Sequence, residues 1–390
     1  MDSPSKQISL MSRDSDLCRF WADTYGLIAD SNKTIYAGNI IDEHGYDFLF
    51  KKIQKNIFED NVTQILIDIS TIQFNPYLFY DLKKNNNLQI IVLAIDDEMK
   101  FSWISATLAT LADLVITSDF TSVMRYRQSG INAHFLPLPV YIPDELPLKN
   151  DKLQQNISFI GRKAKDKPSR EIYLNVLEKE TNASIFGNQG SETKNFLSTE
   201  EMYSIFSNSL VNLNFTGITV NIKSDNILFE RIRGMKLRPF EIYAAGGVCI
   251  SEYSISLAKC FKDGEEIIFF NNPKEMLEKI YYYLDHREEA ERIAAAGRSK
   301  VIKNYSSEAT AANLKDILNK SIKFVGKDLF EMPQKLSVSP SFAVSFVELT
   351  FGKIIDLFLS SKFRECIKDF LYILRFLKCF LNENGLILTI

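Results

Sequence analysis

Cysteine and histidine are scarce in this chain of 390 residues, and neither is spaced to build a site. Cys18, Cys249, Cys260, Cys366 and Cys379 include no Cys-x-x-Cys pair, and His44, His134 and His286 lie far apart. A disulfide framework and a structural zinc site are therefore not expected, and no metal ligand or cofactor is assigned. A basic excess is also missing. With 46 Lys and Arg against 49 Asp and Glu, the net charge of −3 argues against nucleic acid as a partner. No run approaches the roughly 18 apolar residues of a spanning helix. The opening stretch MDSPSKQISLMSRDSDLCRF lacks the continuous apolar core of a secretory signal, which predicts a cytoplasmic protein.

What remains is an ordinary folded composition, 46% hydrophobic and 24% charged, in a chain longer than one hydrophobic core usually serves. From about residue 7 to 140, short apolar runs (QISLM, TIYAGN, QILIDIS, LQIIVLAID, DLVITS, HFLPLPV) alternate with amphipathic stretches such as DFLFKKIQKNIF, PYLFYDLKKN and SWISATLATLA. Continuous Val/Ile/Leu runs separated by helices predict a parallel sheet covered on both faces. Pro137, Pro139, Pro143 and Pro147 then interrupt the pattern, and a second alternation follows with NISFIG, ASIFGN, LVNLNF, GVCIS and EIIFF. The expectation is an α/β protein of two Rossmann-like domains facing a cleft, residues 1–145 and 150–325, with a helical tail over 326–390. In the tail, CIKDFLYILRFLKCFL gathers Ile367, Phe370, Leu371, Leu374, Leu377 and Leu381 on one helical face, with Lys368, Asp369, Arg375 and Lys378 largely opposite. That face suits packing on its own domain or a partner, or peripheral contact with a membrane.

The stretch KLRPFEIYAAGGVCISE is the most informative. Pro239 marks a helix start, and Glu241 in the first turn either stabilises the helix or faces a ligand. Lys236 and Arg238 add cations at the same entrance, where phosphate binds readily. Gly246 and Gly247 end the short helix and allow positive φ or close backbone approach before a buried strand. Asp96 and Asp97 fall at the carboxyl end of a strand in the first domain, where α/β folds bind ligands. They orient an acceptor hydroxyl or act as a base, or one of them caps the following helix.

From Lys236 to about Tyr305, the glutamate helix, the FKDGEE loop and the long terminal helix appear in the order seen in group 1 glycosyltransferases. The pattern is most similar to the CgeB-like branch, in which the helix reads Arg-x-Phe-Glu followed by paired glycines. AIDDEMKFSW, ADLVITSDFTSVMRYRQSGINAHFLPLPV and NISFIGRKAKDKPSRE extend the resemblance to roughly residues 60–310. It implies a GT-B fold, a nucleotide-sugar donor held mainly by the second domain and an acceptor held mainly by the first. By the same resemblance Glu241 accepts hydrogen bonds from the donor ribose. Gly246 and Gly247 admit the donor, and Gly161, Arg162, Lys167, Lys236, Arg238 and Phe240 complete its site, with Arg162 and Lys167 at the pyrophosphate. Fixed cations would stabilise the departing nucleoside diphosphate without a metal, and Arg238 is counted with Asp96 and Asp97 in the chemistry. In one respect the chain departs from the family: the second glutamate expected eight residues before Glu241 is Arg233, with Glu230 nearby but out of register.

The function so implied is sugar transfer from a nucleotide-diphosphate sugar to a glycan or lipid-linked acceptor in cell-surface polysaccharide assembly, retaining and metal-independent. A non-catalytic glycan-binding scaffold and a sugar-nucleotide epimerase on the same fold are the alternatives.

Overall fold

A computed structural model describes residues 5–69, 75–86, 88–147, 155–161, 168–187, 197–217, 232–325 and 338–384. The chain forms two compact units. The first comprises residues 1–118, 122–136 and 311–390, and the second 119–121 and 137–310. The first thus takes in the tail, which the sequence pattern sets apart from residue 326 onward.

The first unit is built on six parallel strands: β1 (Lys6–Met11), β2 (Ser31–Tyr36), β3 (Gln64–Asp68), β4 (Gln89–Ala94), β5 (Leu114–Thr117) and β6 (Ala133–Phe135). Their spatial order is β2-β1-β3-β4-β5-β6. Strands β3 and β5 are buried at every position, as continuous apolar runs in a parallel sheet should be. Between them run α1 (Asp16–Gly26), α2 (Ala37–His44), α3 (Tyr46–Glu59) and α4 (Pro76–Asn86). The TIYAGN run is strand only as far as Tyr36, because Ala37 opens α2. Nor is SWISATLATLA one helix. After α5 (Asp97–Lys100), it divides between a π-helical turn (Phe101–Ser105) and α6 (Ala106–Ala109), before α7 (Phe120–Gln128).

The second unit carries β7 (Gln155–Ile160), β8 (Ser184–Phe186), β9 (Ser209–Asn214), β10 (Cys249–Glu252) and β11 (Ile268–Phe270), in the order β11-β10-β9-β7-β8 and all parallel. Its helices are α8 (Pro168–Glu180), α9 (Thr199–Asn208), α10 (Arg238–Ala244), α11 (Ile255–Cys260), α12 (Pro273–Asp285) and α13 (Arg287–Tyr305). In both sheets the strand order reverses beside the first strand of the unit. Open α/β sheets bind ligands at such a point, outside the carboxyl ends of the strands.

Three helices follow: α14 (Ser307–Val325), α15 (Pro340–Leu359) and α16 (Phe363–Glu383). Helix α16 is buried along Cys366, Asp369, Tyr372, Ile373 and Phe376, a stripe different from the one that the apolar pattern suggests. The Asp369 carboxylate accepts hydrogen bonds from the N–H groups of Tyr46 (2.9 Å) and Asp47 (3.0 Å) and so satisfies the unpaired amino end of α3. Gly45, at φ +84°, supplies the bend and leaves room for that carboxylate. Burial raises the Asp369 pKa, and the two backbone donors oppose the rise. The backbone N–H of Asn75 donates to the Tyr372 hydroxyl at 3.1 Å. By these bonds the tail is part of the first unit's core.

Candidate functional site

In the second unit α10 packs against β9, β10, α9 and α13. Proline at its first turn and glycine after its end delimit this seven-residue helix. Within it, Arg238 Nη1 lies 2.7 Å from Glu241 Oε2, and the Glu241 side chain is only 15% exposed. Burial raises the Glu241 pKa, and the neighbouring guanidinium pulls it back. The Arg238 guanidinium also lies 5.5 Å above the Phe206 ring and bonds the sulfur of Met202. Burial, reinforced by the Glu241 charge, pushes the Tyr203 phenol up. The hydroxyl of Tyr203 donates to the Tyr141 carbonyl at 2.8 Å. The result is an anchored carboxylate beside a cation that can exchange partners, with aromatic side chains close by.

A second polar cluster sits at the end of β10, where composition gave no signal. Glu252 is buried, and its Oε2 accepts from Thr216 N (2.9 Å), Thr216 Oγ1 (3.1 Å) and Gly217 N (3.1 Å). Arg233 Nε stands 3.2 Å from Glu252 Oε1, and Nη2 donates to the Asn271 carbonyl at 2.8 Å. Burial and then Glu252 push the Tyr173 pKa up to about 12. Arg233 thus stands where the family pattern has a carboxylate, and its charge is used by Glu252. The only sequence signal for this cluster is that Glu252 closes the VCISE strand, the position where an α/β sheet presents side chains to ligand.

The predicted residues fall into groups. Glu241, Arg238 and the half-buried Lys236 share one entrance. Gly246 has φ +79° and is the helix terminator, whereas Gly247 has a packing reason: a Cβ there would meet the Phe206 carbonyl at 2.6 Å and Asn212 Nδ2 at 2.7 Å. Gly161 follows β7, and its N–H bonds the Phe186 carbonyl at 2.9 Å. Phe240 stands apart from this group. It is 1% exposed, with its ring centroid 5.0 Å from those of both Phe261 and Tyr305, so its side chain packs in the core. Arg162, Lys167 and Glu230 lie outside the described residues.

In the first unit, Asp96 and Asp97 separate. Asp96 adopts φ +58° at the amino end of α5, with its side chain 39% exposed and 3.5 Å from Lys100 Nζ. Asp97 is fully buried and accepts from Thr117 Oγ1 (2.9 Å) and Tyr126 Oη (2.8 Å), bonds that tie α5 to β5 and α7. The one Asp-x-Asp spacing of the chain, Asp14-Ser15-Asp16, places both carboxylates on Arg19, at 2.6 and 3.3 Å. Among the described residues no group of three or more His, Cys, Asp or Glu could hold a metal ion.

Two outcomes test the placement of the aspartates, and a third tests that of Gly247. Asp97→Ala strands two buried hydroxyls and is expected to cost about 1–3 kcal/mol of stability in urea unfolding. Asp96→Asn, exposed and at a φ that asparagine tolerates, should stay within about 0.5 kcal/mol of wild type. Gly247→Ala forces a methyl into backbone and is expected to cost about 1–3 kcal/mol by the same measurement.

A family model described as "Glycosyl transferase-like" matches residues 164–316, which include α10, β10, β11 and the helices that follow. No curated protein matches the chain. Among solved structures, HepE of Anabaena in complex with UDP-glucose aligns with a TM-score of 0.57 at 9% identity, over 82% of this chain and 100% of that one. A glycosyltransferase from Rickettsia africae aligns at TM-score 0.53 and 13% identity, over 83% and 100%. Sucrose-phosphate synthase from Thermosynechococcus elongatus aligns at 0.52 and 11%, over 82% and 89%. At these identities the alignments establish the fold, which is that of GT-B glycosyltransferases, and the segment that resembles the glycosyl transferase-like family is residues 164–316.

Proposed function

We propose that the protein transfers a sugar from a nucleoside-diphosphate sugar to a glycan or lipid-linked acceptor in cell-surface polysaccharide assembly, with retention of configuration and without a metal. The observation that carries this reading is the Arg238–Glu241 pair, nearly enclosed and inside the segment that the family model matches. A carboxylate with no proton to give is an acceptor, and two adjacent ribose hydroxyls are the donors that match it. Ligand binding then draws on both members: Glu241 keeps the ribose, and Arg238 turns with Lys236 toward the diphosphate. Negative charge builds on the diphosphate oxygens as the bond to the sugar breaks, so cations placed beforehand lower the barrier. Asp96 is the first-unit carboxylate open to an acceptor hydroxyl.

UDP-glucose, bound in the HepE structure, is the first donor to try. A thermal-shift panel of UDP, GDP, dTDP, CMP and their sugars tests the reading. Ligand at 100 times its dissociation constant adds about 2.7 kcal/mol to the state that binds it, enough to move an unfolding midpoint by several degrees. One nucleotide class is expected to stabilise the protein selectively. Absence of any shift across the panel would count against donor binding and favour a scaffold.

A further inference from the structure

Helix α16 has two apolar stripes, and among the described residues only one of them enters the core. Tyr372, Ile373 and Phe376 enter the core of the first unit, while Ile367 is 63% exposed and Phe370 and Leu371 are each 48% exposed on the other side. The turn that joins α15 to α16 continues this surface. Ile355, Phe358, Leu359 and Phe363 are all exposed there, and the Phe358 and Phe363 rings lie 5.3 Å apart. Large apolar side chains gathered at one end of a helical hairpin are costly to leave in water, and such patches mark interaction sites.

Charge identifies what covers them. On a helical wheel Arg364, Lys368, Arg375 and Lys378 flank the exposed stripe of α16, whereas Asp369 is turned into the core and Glu365 lies toward the buried side. The α16 border of the apolar face is therefore basic in a chain whose net charge is −3, while α15 adds the exposed acids Glu348 and Asp356. Arg375 also reaches a cavity of about 270 Å³ between α3, α4 and α16, lined by Lys51, Gln54, Asn85 and Asn86 together with Asp81. Lys51 there is paired with Asp47 at 2.6 Å and Asp81 offsets Arg375, so the recess is close to neutral and the charge that suits lipid phosphates is that of the α16 border. Among the described residues no helix is long and apolar enough to cross a membrane, so the hairpin would lie in the interface and not span it.

We infer that the α15–α16 hairpin is a peripheral docking surface for an anionic phospholipid bilayer, with Ile355, Phe358, Leu359, Phe363 and Ile367 entering the headgroup boundary and the α16 cations on lipid phosphates. This surface is independent of the donor site, so it stands or falls separately from the transferase reading.

The test is flotation of the full chain with vesicles of phosphatidylcholine alone or of phosphatidylcholine with 30% phosphatidylglycerol, chosen as the anionic probe at about that fraction. Binding is expected to the anionic vesicles, to weaken in about 0.5 M salt, and to be lost in the triple variant Phe358→Ser, Leu359→Ser, Ile367→Ser. Because these side chains are exposed, the variant should keep the wild-type unfolding curve. A second variant, Arg364→Ala with Lys368→Ala, should lose about thirtyfold in vesicle affinity, from about 1 kcal/mol per cation near an anionic surface. Failure of wild type to bind anionic vesicles, or binding undiminished in the triple variant, overturns the inference. So does a stable dimer in sedimentation velocity that the triple variant dissolves while vesicle binding is absent, since the face then belongs to a second copy.

Discussion

Phe376→Ala is expected to destabilise the first unit by about 3–5 kcal/mol, the largest stability effect of any single truncation considered for this chain. Its ring is fully buried and lies 4.6 Å from Phe346, 5.7 Å from Tyr77 and 5.9 Å from Phe380, centroid to centroid. These neighbours come from α15, α4 and α16 itself, so truncation opens a cavity where three helices meet and none can collapse alone. A loss of this size is a large fraction of the stability of an ordinary domain. The check is chemical denaturation followed by circular dichroism, with Phe370→Ala as the control. Phe370 is exposed on the same helix and should change stability by no more than about 0.5 kcal/mol. If both variants behave alike, the assignment of the buried stripe is wrong.

Glu241→Gln should lower the affinity for the nucleotide by about a hundredfold. Hydrogen bonds to a charged acceptor contribute about 1.5–3 kcal/mol each, and the amide of glutamine turns one acceptor into a donor that faces ribose hydroxyls and Arg238. Titration calorimetry on wild type and variant reads this difference. The raised Glu241 pKa adds a pH signature. Because binding needs the carboxylate ionised, wild-type affinity should fall as pH drops through a midpoint above the ordinary glutamate value, and Glu241→Gln should lack that fall. A hundredfold loss without the pH signature would point to disturbed packing of α10 in place of a lost acceptor.

The fold was legible where strands are buried on both faces, because such strands must be continuous apolar runs. QISLM and QILIDIS are strands for that reason. It was less legible where burial is partial. SWISATLATLA has helical periodicity, yet a π turn at Phe101–Ser105 interrupts it. The tail shows a further reason. A helix with two apolar stripes does not declare which one meets the core, and the buried stripe carries Asp369, whose role depends on the amino end of a helix more than 300 positions earlier in the chain. Periodicity cannot register a partner so distant.

The site divides in the same way. Pro239 and the paired glycines marked α10 because both are local backbone requirements. Phe240 packs in the core while its neighbour Glu241 is partly exposed, because consecutive helical side chains point about 100° apart. Glu252 and its donors Thr216, Gly217 and Arg233 come together only through the β9–β10 pairing, which no linear spacing encodes. Asp96 and Asp97 are adjacent in sequence, yet one is solvent-facing and the other fully buried, a distinction set by the left-handed backbone at Asp96.

The most direct measurement is the release of nucleoside diphosphate from UDP-glucose and its GDP and dTDP counterparts, followed with and without a panel of glycan and lipid-linked acceptors. The account predicts turnover of one donor class, accelerated by an acceptor that gains the sugar, and a loss of about a hundredfold in kcat/KM in Glu241→Gln. Turnover that persists unchanged in Glu241→Gln, or conversion of the donor to an isomeric nucleotide sugar with no diphosphate released, would contradict it.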